Sequence, residues 1–74
     1  MGDELIEVTE EQTLTREAAA ARLRALADQL ARHNQVEFVR DGLRYTAKVP
    51  AEVKLSVEVE IGDDGSEIEV EITW

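Results

Sequence analysis

Hydrophobic and polar positions divide the chain into one stretch with helical periodicity and a series of strictly alternating stretches. From about Arg16 to His33, alanines and leucines recur at spacings of three and four residues, which predicts an amphipathic helix. Thr15 is suited to accept from the first free amides as the N-cap, and Asn34 suits a left-handed end. The predicted apolar stripe consists of Ala19, Leu23, Leu26, Ala27 and Leu30.

After the helix the period changes to two, and a first hairpin is expected. Asp41-Gly42 lies between two alternating runs, which is typical of a two-residue type I′ loop. The loop predicts antiparallel pairing with both aromatic residues on one side of the sheet. The expected pairs are Val36 with Ala47, Phe38 with Tyr45, and Val39 with Arg44.

A second hairpin is expected in the last third of the chain, where apolar residues again alternate with polar ones. Taking Asp64-Gly65 as its two-residue loop places every apolar side chain on one face of the hairpin. A slip of one residue would turn the glutamates inward instead. The expected pairs are Ile61 with Ile68, Val59 with Val70, Val57 with Ile72, and Leu55 with Trp74.

The order of these elements predicts an α+β fold with two layers. The link at 49–53 is too short for a crossover, so a tight antiparallel return and a single four-stranded meander are expected. One helix would then cover the apolar face of the sheet. Leu5, Ile6 and Val8 could add a short fifth strand. The predicted organisation is a single domain over 1–74, with an N-terminal strand and connector at 1–14, the helix at 15–34 and the antiparallel sheet at 36–74.

Four segments in this order resemble the small prokaryotic Amphi-Trp domain family, and the resemblance covers most of the chain. It implies a helix-plus-sheet module and brings no catalytic or cofactor-binding residue with it. The terminal tryptophan and the order of the segments make the resemblance distinctive. The segments are Thr15-Arg16-Glu17-Ala18-Ala19, Leu23-Arg24-Ala25-Leu26-Ala27, Lys48-Val49-Pro50 and Glu67-Ile68-Glu69-Val70-Glu71-Ile72-Thr73-Trp74.

Charge and composition exclude several classes of function. The 74 residues carry a net charge of −9, from 17 acidic and eight basic residues, which disfavours nucleic acid as a partner. The charge is segregated: residues 1–11 carry −5, residues 12–54 carry +3 and residues 55–74 carry −7. With no cysteine and one histidine, the chain lacks the residues for disulfides, thiolate metal sites and most nucleophilic catalysis. We expect no cofactor.

The polar face of the second hairpin is a candidate partner surface. The expected register sets Glu58 opposite Glu71 and Glu60 opposite Glu69, so four carboxylates share one patch. A solvated, aggregation-resistant outer face is the simplest explanation. Binding of Ca²⁺ or Mg²⁺ is the sharper alternative, although a flat sheet does not wrap oxygens around an ion. Acid–base catalysis would need a pocket to separate the carboxyl pKa values, which an exposed face does not offer.

Trp74 is the other candidate, since it can close the core against Leu55 or present an aromatic ring to a partner. We expect a non-catalytic, cytoplasmic interaction or accessory module that recognises a protein through its sheet surface or edge. A weak homodimer, formed by edge pairing or helix contact, is compatible with the small core and open edges. The alternative is a cation- or ligand-binding regulator that uses the acidic face. No apolar run is long enough to span a bilayer, so no membrane partner is expected.

Overall fold

A computed structural model describes residues 7–74, and these contain one helix and four strands in the order predicted. The helix α1 spans Arg16–Arg32. The strands are β1 (Gln35–Arg40), β2 (Leu43–Lys48), β3 (Lys54–Ile61) and β4 (Ser66–Thr73). The α+β class predicted from the sequence is therefore confirmed.

The helix begins as the sequence predicts and ends differently. The Thr15 hydroxyl accepts a hydrogen bond from the Ala18 amide at 3.1 Å, which satisfies one of the free amides of the first turn. At the other end His33 has an extended backbone, and its amide still donates to the Gln29 carbonyl at 2.9 Å. Asn34 has no left-handed conformation, so the predicted left-handed end is wrong. The chain enters β1 directly after this cap.

The first hairpin has the predicted register. Asp41 and Gly42 have φ angles of 53° and 78°, so both central residues of the loop have positive φ, as a type I′ turn requires. Phe38 is opposite Tyr45, and Val36 is opposite Ala47. Asp41 tolerates a positive φ because its short polar side chain can hydrogen-bond to the nearby backbone, and Gly42 tolerates it because it has no Cβ.

The second hairpin is antiparallel, but its register differs from the prediction by two residues. The Gly62 amide donates to the Gly65 carbonyl at 3.1 Å, so the tip of the loop is Asp63-Asp64. Gly65 has a φ of 151°, a conformation that glycine adopts readily. A shift of two residues preserves the alternation of faces. The observed pairs on the apolar side are Leu55 with Ile72, Val57 with Val70, and Val59 with Ile68.

The two hairpins form two separate two-stranded sheets in place of the predicted four-stranded meander. The Val49 amide donates to the Asn34 carbonyl at 2.7 Å and so extends the pairing of the first sheet by one step. Pro50 follows, has no amide hydrogen to continue a ladder, and holds the residue before it in an extended conformation. The chain therefore leaves the first sheet without pairing β2 to β3.

The helix packs against β1, and the backbone of the second hairpin lies farther from it. The Glu37 amide donates to the Gln29 side-chain oxygen at 2.9 Å, which ties α1 to β1. Val36, 5% exposed, is the one buried side chain of the described residues. No Cα atom of β3 or β4 lies within 8 Å of one in α1, β1 or β2. The predicted covering of a whole sheet by the helix is therefore limited to the first hairpin.

The N-terminal strand predicted from the sequence lies partly outside the described residues, which exclude Leu5 and Ile6. Val8 is described, is half-buried and belongs to no strand. It lines a cleft with Phe38 and Tyr45. Arg22 of α1 forms an ion pair with Glu10, so the connector before the helix is attached to the helix surface.

Candidate functional site

The second hairpin carries the most unusual surface of the described chain. Its apolar side, here called the hairpin apolar face, is open to solvent along almost its whole length: the exposed fraction rises from 51% at Val70 to 84% at Ile61. Soluble monomeric proteins rarely expose contiguous apolar patches above a few hundred Å², and larger ones mark interaction sites. The hairpin apolar face consists of Leu55, Val57, Val59, Ile61, Ile68, Val70 and Ile72.

The local sequence explains why this hairpin forms without a supporting layer. β-Branched residues occupy most of the apolar positions, and they favour extended backbone because their side chains fit the pleated surface. Val57 lies opposite Val70 and Val59 opposite Ile68, so branched residues are directly paired across the strands. An isolated two-stranded hairpin is nevertheless marginal in water, and a further packed layer is needed for independent stability.

The carboxylates predicted as a partner surface do share the opposite face of this hairpin. The pairing differs from the prediction: Glu58 is opposite Glu69 and Glu60 is opposite Glu67. Glu71 is opposite Ser56. The predicted pairs of Glu58 with Glu71 and Glu60 with Glu69 are wrong because the loop tip is Asp63-Asp64. This set of glutamates with Ser56 is called the acidic face below.

Crowding of like charges has an electrostatic consequence on the acidic face. The pKa of Glu69 is raised above its ordinary value, first because Glu58 can share a hydrogen bond with its protonated form, then because of the charges of Glu67 and Glu58. Glu71 adds a smaller repulsion in the same direction. All five glutamates of this face are exposed. Within residues 7–74, no three His, Cys, Asp or Glu side chains are close enough together to hold a metal ion.

Trp74 lies at the end of the hairpin apolar face and not in a closed core. Its side chain is 63% exposed, and the observed register brings Ile72 opposite Leu55 in its place. The predicted pairing of Leu55 with Trp74 is therefore wrong, and of the two alternatives for Trp74 the closure of a core is not observed. The ring instead borders an open apolar cleft of about 180 Å³, which also includes Leu26 and Leu30 of α1 and Val36 of β1. This cleft is where the helix, the first hairpin and the end of β4 approach one another.

The five residues predicted as a partner surface are thus divided between two faces. Glu58, Glu60, Glu69 and Glu71 project from one side of the second hairpin, and Trp74 follows the apolar alternation of the other side. Sequence reasoning missed that the apolar side is open. A signal for it was available: the two hairpins together present more alternating apolar positions than one 17-residue helix can cover.

The arrangement defines a small α+β domain with one hairpin that the helix contacts and one open amphipathic hairpin that leads to the terminal tryptophan. The chain belongs to the Amphi-Trp domain family, whose model matches residues 1–74, the whole chain. Neither the curated proteins nor the solved structures contain a match to it. In the part of the chain that the structure describes, no helix is long and apolar enough to cross a membrane.

Proposed function

We propose that this chain is a non-catalytic interaction module that binds a protein through the hairpin apolar face. The observation that carries the proposal is the exposure of that face, where Val57 and Val59 are 60% and 61% exposed. Apolar area of this kind is the driving force of most protein association, because each Å² removed from water contributes about 25 cal/mol.

The acidic face opposite supports the same role. Its charges keep the outer side of the hairpin in water and oppose stacking of hairpins on that side, so only the apolar side is available for close packing. The cation-binding alternative has no comparable support, because the glutamates lie side by side on an open ribbon. An ion such as Ca²⁺ requires six to eight oxygens arranged around it.

The residues with chemical reactivity also fit a binding role better than catalysis. His33 occupies the C-terminal cap of α1, and the carboxylates lie on an open face. General acid–base catalysis requires a group with a tuned pKa within hydrogen-bond reach of a bound substrate. We therefore propose binding as the whole of the activity of this domain.

Site-specific photocrosslinking tests the proposal. A photoreactive amino acid is placed at Val57, on the hairpin apolar face, or at the neighbouring Ser56, on the acidic face, and the protein is irradiated in its native host at its natural level. We expect a defined protein adduct from position 57 and little or none from position 56. No adduct at position 57, or equal adducts at both positions, would contradict the proposed function.

A further inference from the structure

The exposed surface of the chain is far larger than that of a compact protein of its size. A compact monomer of 8.3 kDa has about 4,600 Å² of accessible surface, whereas this chain has 7128 Å². The excess of about 2,500 Å² stays above roughly 1,500 Å² after subtraction of the roughly 960 Å² that six fully exposed residues can contribute. The radius of gyration, 14.3 Å, also exceeds the roughly 11 Å of a compact chain of this length.

We propose that a second copy of this chain covers that excess: the hairpin apolar face of each copy packs on helix α1 of the other. This inference rests on the proposed function and names its partner. The dimensions agree, since strands of eight residues extend about 26 Å and a helix of 17 residues about 25 Å. One helix laid along the hairpin completes the two-layer arrangement.

The helix offers a matching apolar surface that its own chain leaves open. Leu23 is 56% exposed, and Ala19 and Ala27, on the same side of the helix, are exposed as well. Leu26 and Leu30 of the same stripe border the open cleft at Trp74. The stripe that the sequence predicts is thus only partly covered, and its open part continues into the cleft.

Charge favours hairpin against helix over hairpin against hairpin. Residues 55–74 carry −7, so packing two hairpins by their apolar faces would join two segments of the same charge, with the acidic faces on the two outer sides. Residues 12–54, which include α1, carry +3. Complementary charge selects among arrangements of similar apolar area because like charges placed close together are unfavourable. The helix of a second copy is therefore the better fit.

The link between the hairpins explains why the contact forms between copies. The Val49 amide is hydrogen-bonded to the Asn34 carbonyl, and Pro50 fixes its own φ and holds the residue before it extended. The five-residue link therefore leads the backbone of β3 away from α1 of the same chain. Short, stiff links of this kind favour exchange of an element between identical chains. Reciprocal exchange gives a closed two-fold dimer. Burial of the corrected excess of roughly 1,500 Å² on each copy amounts to about 3,000 Å², within the range of obligate dimers.

Sedimentation equilibrium of the purified chain from about 1 to about 100 µM, a range that separates weak from tight association, is the first test. We expect twice the chain mass. Val57→Lys, on the hairpin apolar face, should raise the dissociation constant at least about 100-fold. Its matched control, Ser56→Lys, adds the same charge at the neighbouring position, on the opposite, acidic face, and should leave the dimer intact. On the helix, Leu23→Glu should dissociate the dimer and Ala21→Glu, on the opposite side, should not.

A mixture of the two dissociated variants identifies the contact itself. Val57→Lys keeps an intact helix and Leu23→Glu keeps an intact hairpin, so the mixture should form a 1:1 complex with one native contact and one Lys–Glu contact. No complex between the two variants, with circular dichroism showing both folded, would overturn the hairpin-on-helix arrangement. If the native chain is monomeric at about 100 µM, the weak limit for such dimers, the proposal that the partner is a second copy of this chain is overturned. The proposed function would then still be decided by whether position 57 crosslinks to a different protein.

Discussion

Val36 is the side chain whose truncation should cost the most stability, because it alone among the described residues is buried. Val36→Ala removes two carbons, worth about 0.8 kcal/mol each by transfer, and adds a cost for the space left behind. The open cleft of about 180 Å³ beside Val36 means that the deletion enlarges an existing space and creates no closed cavity. The expected loss is therefore about 2 kcal/mol, near the lower end for a core truncation.

Val39→Ala is the matched control, since Val39 lies in the same strand but is 62% exposed. It should cost about 0.5 kcal/mol, mainly from the lower strand propensity of alanine. Urea unfolding at one fixed protein concentration compares the two variants, because association makes stability depend on concentration. Equal losses for both variants, or a loss under about 0.5 kcal/mol for Val36→Ala, would show that α1 and β1 do not form the core described here.

Three further predictions concern the helix cap, the terminal ring and the acidic face. Thr15→Ala should destabilise the chain by about 1 kcal/mol, whereas Thr15→Ser should not, as thermal unfolding will show. Trp74→Ala should cost only about 1 kcal/mol in dilute protein, because the ring is 63% exposed, and a loss of 3 kcal/mol or more would indicate a closed core. The raised pKa of Glu69 means that the folded state binds a proton more readily than the unfolded chain. Protonation of Glu69 therefore stabilises the fold fully below the unfolded pKa of about 4.3, and this stabilisation is lost as pH rises through the folded pKa. Glu69→Gln should accordingly raise the melting temperature at pH 7 and not at about pH 3, and an equal gain at both pH values would contradict the repulsion.

Local signals in the sequence predicted the elements and much of their pairing. Thr15 marks the start of the helix because a hydroxyl at that position satisfies a free amide, and the structure has this bond. Asp41-Gly42 determined the first register because both residues tolerate positive φ. In the second hairpin the alternation correctly assigned the two faces, but it could not choose between loops that differ by two residues, because both keep the same side chains together.

The packing of the elements was not encoded in any local pattern. Val57 and Leu23 each lie on an apolar face. Periodicity predicts that such a face packs against another element, but it does not identify that element or the chain to which it belongs. Pro50 is compatible with a tight return and with a stiff link that separates the hairpins. The candidate site likewise combines a feature that the local pattern predicts with one that depends on packing. The grouping of glutamates on one face was predicted from alternation, whereas the exposure of the hairpin apolar face depends on contacts between distant segments.

The most direct test of the account is an isotope-filtered NOE experiment on a mixture of ¹³C-labelled and unlabelled chains, which detects contacts only between different copies. The account predicts NOEs from the methyl groups of Val57 and Val59 in one copy to those of Leu23 and Ala27 in the other. The absence of these NOEs from the filtered spectrum, with the same methyl pairs in contact in a uniformly labelled sample, would contradict it, as would NOEs between the hairpin apolar faces of two copies.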